Sequence, residues 1–182
     1  MKKISYLILI LSTQLVHAQQ TSIEKNLTEV QIGLFGINVN YETKLVDKLS
    51  LRISAELQPN SLDNNFYGKT EFMMSPIINI EPRFYYNFKT RAKKGKNNNH
   101  NAANYFSLQM QYMPDWFVIS NIDNLQSYNQ INFIPTYGFR RNFSKKFNYE
   151  FKFGYGYGTL IDSNYKASGR VIDFSFKVGY VF

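Results

Sequence analysis

Charged residues in this chain recur at strand-like spacing inside apolar runs: Glu81 with Arg83, Glu150 with Lys152, and Asp173 with Lys177. Glu42, Arg52, Glu56 and Arg140 sit in runs of the same kind. Two chemistries are open to such sets. Carboxylates can act as general acids or bases, and a nucleophile beside them would need a base of its own, most often His. Alternatively the charges neutralise one another, because an isolated charge away from water is prohibitively costly. The chain has two His and no Cys. His17 lies in the N-terminal leader and His100 in a polar connection, so neither suits an outward-facing Ser-His site. A hydrolase working through Glu81 or Glu150 alone stays open, but no spacing singles it out. Metal and cofactor chemistry has little to stand on, because there is no Cys and no His pair at ligand spacing. Gly154, Gly156 and Gly158 alternate along one face and do not form a phosphate loop.

The elements that would position these charges have a period of two. From Phe147 to Tyr157 every odd position is aromatic, and every even one is polar, charged or Gly. Only a strand puts all those rings on one face. Ile172, Phe174, Phe176, Val178, Tyr180 and Phe182 face one way in the closing segment, with Asp173, Ser175, Lys177 and Gly179 opposite. Less pure alternation predicts strands at Ile37 to Leu45, Leu49 to Gln58, Tyr105 to Pro114 and Gln130 to Phe143. A further strand is expected from Pro76 to Phe88, with Ile78, Ile80, Phe84, Tyr86 and Phe88 sharing a face.

These strands fit two architectures. A soluble sandwich alternates too, with its apolar face inside. Most of the runs, however, reach the roughly 10 residues a tilted strand needs to cross hydrocarbon, whereas globular strands usually have about 5 to 6. The opposite face carries charge, amide and Gly, as a barrel lumen does. Met1-Lys2-Lys3, an apolar centre from Ile4 to Leu11 and Val16-His17-Ala18 have the order of a cleaved secretory signal, residues 1–18. The apolar run is too short for a spanning helix. The expectation is a transmembrane antiparallel up-and-down β-barrel over residues 19–182, exported to the outer membrane and surrounded by its lipids. The full chain has 21 basic and 13 acidic side chains. Such an excess could suit nucleic acid or anionic membrane, and export excludes the former.

A barrel with both ends in the periplasm has an even number of strands, and these alternating runs supply seven. The eighth must come from residues 21–36. Either Ser22 to Ile32 is a strand followed by a tight turn at Gly33-Leu34-Phe35-Gly36, or one long strand bulges there. The reading adopted is eight strands. An eight-stranded interior is just wide enough to be filled by side chains. Glu42, Glu56, Glu81, Glu150 and Asp173 would then meet Arg52, Arg83, Arg140, Lys152 and Lys177 in a lumen network, five acids against five bases. A proton path or narrow pore is the competing use of the same charges.

Val46-Asp47-Lys48 and Ser144-Lys145-Lys146 read as tight periplasmic turns, and Asn60 to Ser75, Ser120 to Asn129 and Leu160 to Gly169 as external loops. Lys89 to Asn104 breaks the pattern as a long, basic periplasmic connection. It reads as flexible and solvated, or else as a contact for anionic headgroups or another envelope polymer. Trp116, the single Trp, suits an interfacial aromatic belt. Asp115 and Asp123 could alternatively contribute to an external ligand site.

Several stretches carry a resemblance: Glu81-Pro82-Arg83-Phe84-Tyr85-Tyr86-Asn87, Lys93-Lys94-Gly95-Lys96, Tyr105-Phe106-Ser107-Leu108, Pro114-Asp115-Trp116, and Ile134-Pro135-Thr136-Tyr137-Gly138-Phe139-Arg140-Arg141. Together they resemble a family of small, uncharacterised outer-membrane β-barrel proteins of Gram-negative bacteria. The resemblance implies fold and location and supplies no catalytic residues. Phe174, Phe176, Val178, Tyr180 and Phe182 are similar to the signal that outer-membrane proteins present to the barrel-assembly machinery. The functional expectation is a structural, adhesive or envelope-maintenance role. A lipid-modifying barrel enzyme or a narrow pore is the alternative.

Overall fold

The computed structural model describes residues 22–34, 36–60, 73–121, 127–161 and 167–182. The expected leader, the greater part of the three expected external loops, and Asp123 lie outside them. The strands are β1 (Asn26–Gly33), β2 (Gly36–Val46), β3 (Leu49–Asn60), β4 (Met73–Phe84), β5 (Asn104–Met113), β6 (Ile119–Ser120), β7 (Gln130–Asn142), β8 (Phe147–Leu160) and β9 (Ser168–Val181). All but β6 form a ring of antiparallel neighbours, and β9 returns to pair with β1 from Glu29↔Val181 to Gly33↔Lys177. The short β6 adds only to the end of β4, opposite Met73 and Met74. The fold is therefore a closed eight-stranded up-and-down barrel, and closure leaves the eight wall strands no unpaired edge along the ring.

The first hairpin resolves the strand count. Gly33 pairs with Gly36, so the polypeptide reverses there and does not bulge through. Gly36 has φ 102, a conformation side chains rarely adopt, and a Cβ on it would collide with the Leu57 carbonyl. Leu34 stands exposed at the tip. The last two wall strands, β8 and β9, outrun the alternation that predicted them, because Gly158↔Gly169 and Thr159↔Ser168 extend the ladder through residues with no apolar pattern.

Polarity is inside-out. The largest fully buried side chains are led by Arg52, Arg83 and Arg140, while Ile32, Phe106, Phe153 and Phe174 point outward and are at least half exposed. A soluble sandwich requires the reverse. The outward rings form an interlocked sheet of aromatics. Phe151 meets Phe174 edge-on at 5.1 Å, and Tyr180 meets Phe147 and Phe182 at 5.2 Å each.

The end with the Val46–Leu49 and Asn142–Phe147 turns we call the turn end; the other, which carries the Gly33–Gly36 reversal, is the loop end. The β4–β5 connection at the turn end departs from the expected flexible loop. It folds into a helix, α1 (Phe88–Lys93), and a single 3-10 turn at Asn99–Asn101. Phe88, expected on the outer face of an extended β4, is instead fully buried with Ile23, Tyr85, Ala103 and Tyr105. The reason lies in a change of period. β4 ends at Phe84, and the aromatic alternation that runs on to Phe88 belongs to a turn and a helix start. Arg91 Nε donates to the Ala102 carbonyl at 2.9 Å, and Asn98 Nδ2 donates to the Phe88 carbonyl at 2.8 Å, which ties the two arms of the connection to each other. His100 and Asn101 take φ 51 and 58, a region where Asn and His are enriched.

Candidate functional site

Toward the turn end the alternating strands aim a compact ion cluster at the barrel axis. Glu150 on β8 is its hub. It accepts hydrogen bonds from Arg52 at 3.2 Å, from Arg83 at 3.0 and 3.1 Å, and from Arg140 at 2.7 and 3.0 Å. Glu42 accepts from Ser50, Arg52, Tyr85 and Asn101, at 2.8, 3.1, 2.7 and 2.8 Å. Glu81 is held by Arg83 at 2.6 Å and by Ser107 at 2.7 Å. Each carboxylate thus has several donors, as buried charge requires. The Arg83 guanidinium also lies 4.3 Å above the Tyr105 ring. That ring lies so close to Gly138 that any Cβ there would overlap it.

Glu29 belongs to the same cluster and was missed in the sequence. It bridges Arg52 and Arg140 at 3.3 Å each and accepts from Asn148 at 2.5 Å. The signal was hidden because Leu27, in the same inward phase two residues earlier, is apolar and buried under the turn end. The hairpin register reveals it, since Glu29 faces Asn40, two residues from Glu42. With Glu29 the lumen holds six acids against five bases, and the exact balance read from the sequence is corrected by one.

Higher in the barrel the charges thin out. Lys177 pairs with Glu56 at 2.7 Å, and Lys152 donates to Gln109 at 3.0 Å and lies 3.9 Å from Asp173. Asn38, Asn40 and Gln31 hydrogen-bond to one another beside them, at 2.8 to 3.1 Å. Above this level, toward the loop end, a cavity of about 460 Å³ is lined by Gln58, Ile77, Gln111, Gln130, Asn132 and Asp173, among others. Its walls are mostly amide and aliphatic. Among the described residues, no His and no hydroxyl nucleophile lines it.

The ten charges expected in the lumen therefore all face it, distributed between a central cluster and two flanking pairs. The five positions expected to form an assembly signal share the outer face of β9 and its end. Phe174, Phe176 and Phe182 are exposed, Val178 and Tyr180 are half-buried, and the Phe182 amide donates to the Thr28 carbonyl of β1 at 3.2 Å. Trp116 is exposed beyond β5 at the loop end. His100 lies at the turn end, where its amide donates to Glu24 at 2.6 Å and its carbonyl accepts from Arg140 at 3.1 Å. It contributes backbone to the cap and lies far along the barrel from the cavity.

An antiparallel eight-stranded barrel with an ion-paired interior and an apolar exterior defines the class of small barrels of outer-membrane type. Residues 4–175 match the family described as a protein of unknown function, DUF3575, and the chain belongs to that family. Among solved structures it is similar to the crystal structure of Neisserial surface protein A (NspA), at 10% identity and a TM-score of 0.47, with 86% of this chain and 93% of that chain covered. No curated protein matches the chain.

Proposed function

We propose that this chain is an integral outer-membrane protein whose barrel serves a structural, adhesive or envelope-maintenance role, without a through-pore or a catalytic centre. The observation that carries this reading is the inverted polarity of a closed barrel. Strands satisfy their backbones in lipid only when the sheet is closed, and a continuous outward apolar surface of this extent is costly in water. The turn end faces the periplasm in this reading, and the described loop-end residues Asp115 and Trp116 face outward. The filled central lumen under a folded cap favours a load-bearing plug over a conduit. The outer face of β9, from Phe174 to Phe182, is offered to the barrel-assembly machinery, and outer-membrane lipids cover the remaining wall.

The test begins with the mature chain in its native envelope. It should fractionate with outer membrane and migrate faster on gels unheated than boiled; recovery as a soluble periplasmic protein would sink the reading. In planar bilayers it should show no steady conductance, and it should release no fatty acid from phospholipid or lipopolysaccharide. Robust activity in either assay would replace the structural role with a pore or a lipid-modifying enzyme.

A further inference from the structure

Charge is partitioned sharply along the barrel axis. The lumen holds Glu29, Glu42, Glu56, Glu81, Glu150 and Asp173 against five bases. The loop-end connections, together with Arg170 near the start of β9, contain, by sequence, five acids against three bases. Apart from Lys2 and Lys3 in the expected leader, the positive excess is therefore at the turn end, where Lys25, Lys44, Lys48, Lys89, Arg91, Lys93, Lys94, Lys96, Arg141, Lys145 and Lys146 face only two acidic side chains, Glu24 and Asp47. Glu24 is engaged by the His100 amide, and Asp47 by Lys44 at 3.0 Å and Lys89 at 3.8 Å. Nine cations remain without a carboxylate within ion-pair distance among the described residues.

Two of the nine are arginines held in place. Arg91 is anchored through Asn97, Asn98 and Ala102, and Arg141 through the Arg140 carbonyl and the Asn104 side chain. Both are tied to the one segment from Asn97 to Asn104, which Asn142 also grips through Asn97 and Asn99; burial, and then the like charge of Arg141, lowers the Arg91 guanidinium from its ordinary value. Two guanidiniums held on one segment and still part-exposed offer a phosphodiester charged, fork-shaped donors. The cations also point sideways as well as down. Arg141 lies 5.3 Å over the Phe139 ring and Lys146 5.2 Å over the Tyr180 ring, and both rings belong to the outward wall.

We propose that this rim is a binding surface for anionic phospholipid headgroups of the inner leaflet, with Arg91 and Arg141 holding one phosphodiester and the surrounding lysines supplying the field. The inference rests on the membrane reading above. Lipid is the occupant favoured because the fixed cations share a level with rings that face hydrocarbon; a polymer lying below the membrane would be met by the downward lysines alone. Clustered basic residues at a membrane surface each contribute attraction to anionic lipid, and that attraction weakens with salt.

The experiment uses the mature protein folded in detergent micelles and offered phosphatidylglycerol or phosphatidylcholine, with retained lipid counted by native mass spectrometry. Wild type should retain phosphatidylglycerol selectively. The double variant Arg91→Gln with Arg141→Gln should lose roughly tenfold of that selectivity, while Arg91→Lys with Arg141→Lys should keep most of it. Heat-modifiable mobility verifies that each variant is folded. Selectivity should persist with inorganic phosphate in the buffer at low millimolar concentration, which separates a lipid site from a free-phosphate site. Equal retention of both lipids by a folded wild type would overturn the inference and leave the membrane reading intact. Loss of heat-modifiability and of micelle association by the wild type would overturn both. Co-sedimentation with isolated peptidoglycan, abolished in the Gln variant and unaccompanied by lipid selectivity, would assign the surface to that polymer and overturn the lipid proposal.

Discussion

The two halves of this barrel are built from the same strands with the same alternation, yet their interiors differ in kind. Toward the turn end, Glu29, Glu42, Glu81 and Glu150 interlock with Arg52, Arg83 and Arg140 beneath a folded cap, and every carboxylate has several donors. Toward the loop end the inward positions become Gln111, Gln130 and Asn132 around a cavity of about 460 Å³. Charged lumen is dense because each ion must be solvated by protein. Amide lumen can stay open because water or a small polar molecule can satisfy it. Stability should accordingly be concentrated in one half and tolerance to change in the other.

The sharpest way to break this contrast is Glu150→Gln. The hub loses its charge while three buried guanidiniums keep theirs, and removing one partner from a buried ion network costs about 3–5 kcal/mol. Urea unfolding in micelles, followed by the heat-modifiable shift, should show the loss; an unchanged midpoint would erase the distinction between the halves. Next in size, Asn101→Ala removes a donor to Glu42 and an acceptor for the Glu24 amide while forcing Ala into positive φ. The cost should be about 1–3 kcal/mol, and Asn101→Gly should recover the backbone share of it. In the open half, Gln111→Ala gives up weak bonds of 3.2 and 3.3 Å to Asn132 and Gln109 beside free space, and should cost about 1 kcal/mol or less. A larger loss would mean the cavity wall is as tightly specified as the ion cluster.

The smallest effect belongs to the exposed rim. Lys44 holds Asp47 below its ordinary carboxylate range, first by hydrogen bonding and then by charge. A lowered folded-state value stabilises the fold above the unfolded pKa and is lost as pH falls through the folded one. Asp47→Asn should therefore lower the unfolding midpoint slightly at neutral pH and leave it unchanged in strong acid, where wild-type Asp47 is protonated too. A difference that persists in acid would point to a role other than charge.

Most of the wall could be read in advance because a lipid-facing strand writes its period in aromatics, as Phe147 to Tyr157 does. Phe88 and the connection after it could not, since three-dimensional packing against Tyr85 and Ile23 overrode a period that continued on paper. Glu29 was hidden for a related reason: Leu27 breaks the polar phase of β1 where that strand passes under the cap. The charged members on long, pure strands were legible individually. Their partners were not, because Arg140 meets Glu29 across 111 residues of sequence and only closure of the ring brings them together.

The cap has a mechanical consequence. Hydrogen bonds around a ring of strands resist stretching of the hoop but do little against flattening of its cross-section. Asn101 ties the cap to Glu42 on β2, the His100 carbonyl ties it to Arg140 on β7, and the Asn99 carbonyl accepts from Asn142 at 2.6 Å on the same side. These links span the opening as a cross-brace. The turn-end rim is thereby held round, so shape fluctuations of the barrel should grow toward the loop end, as in a tube with one end fitted to a stiff collar.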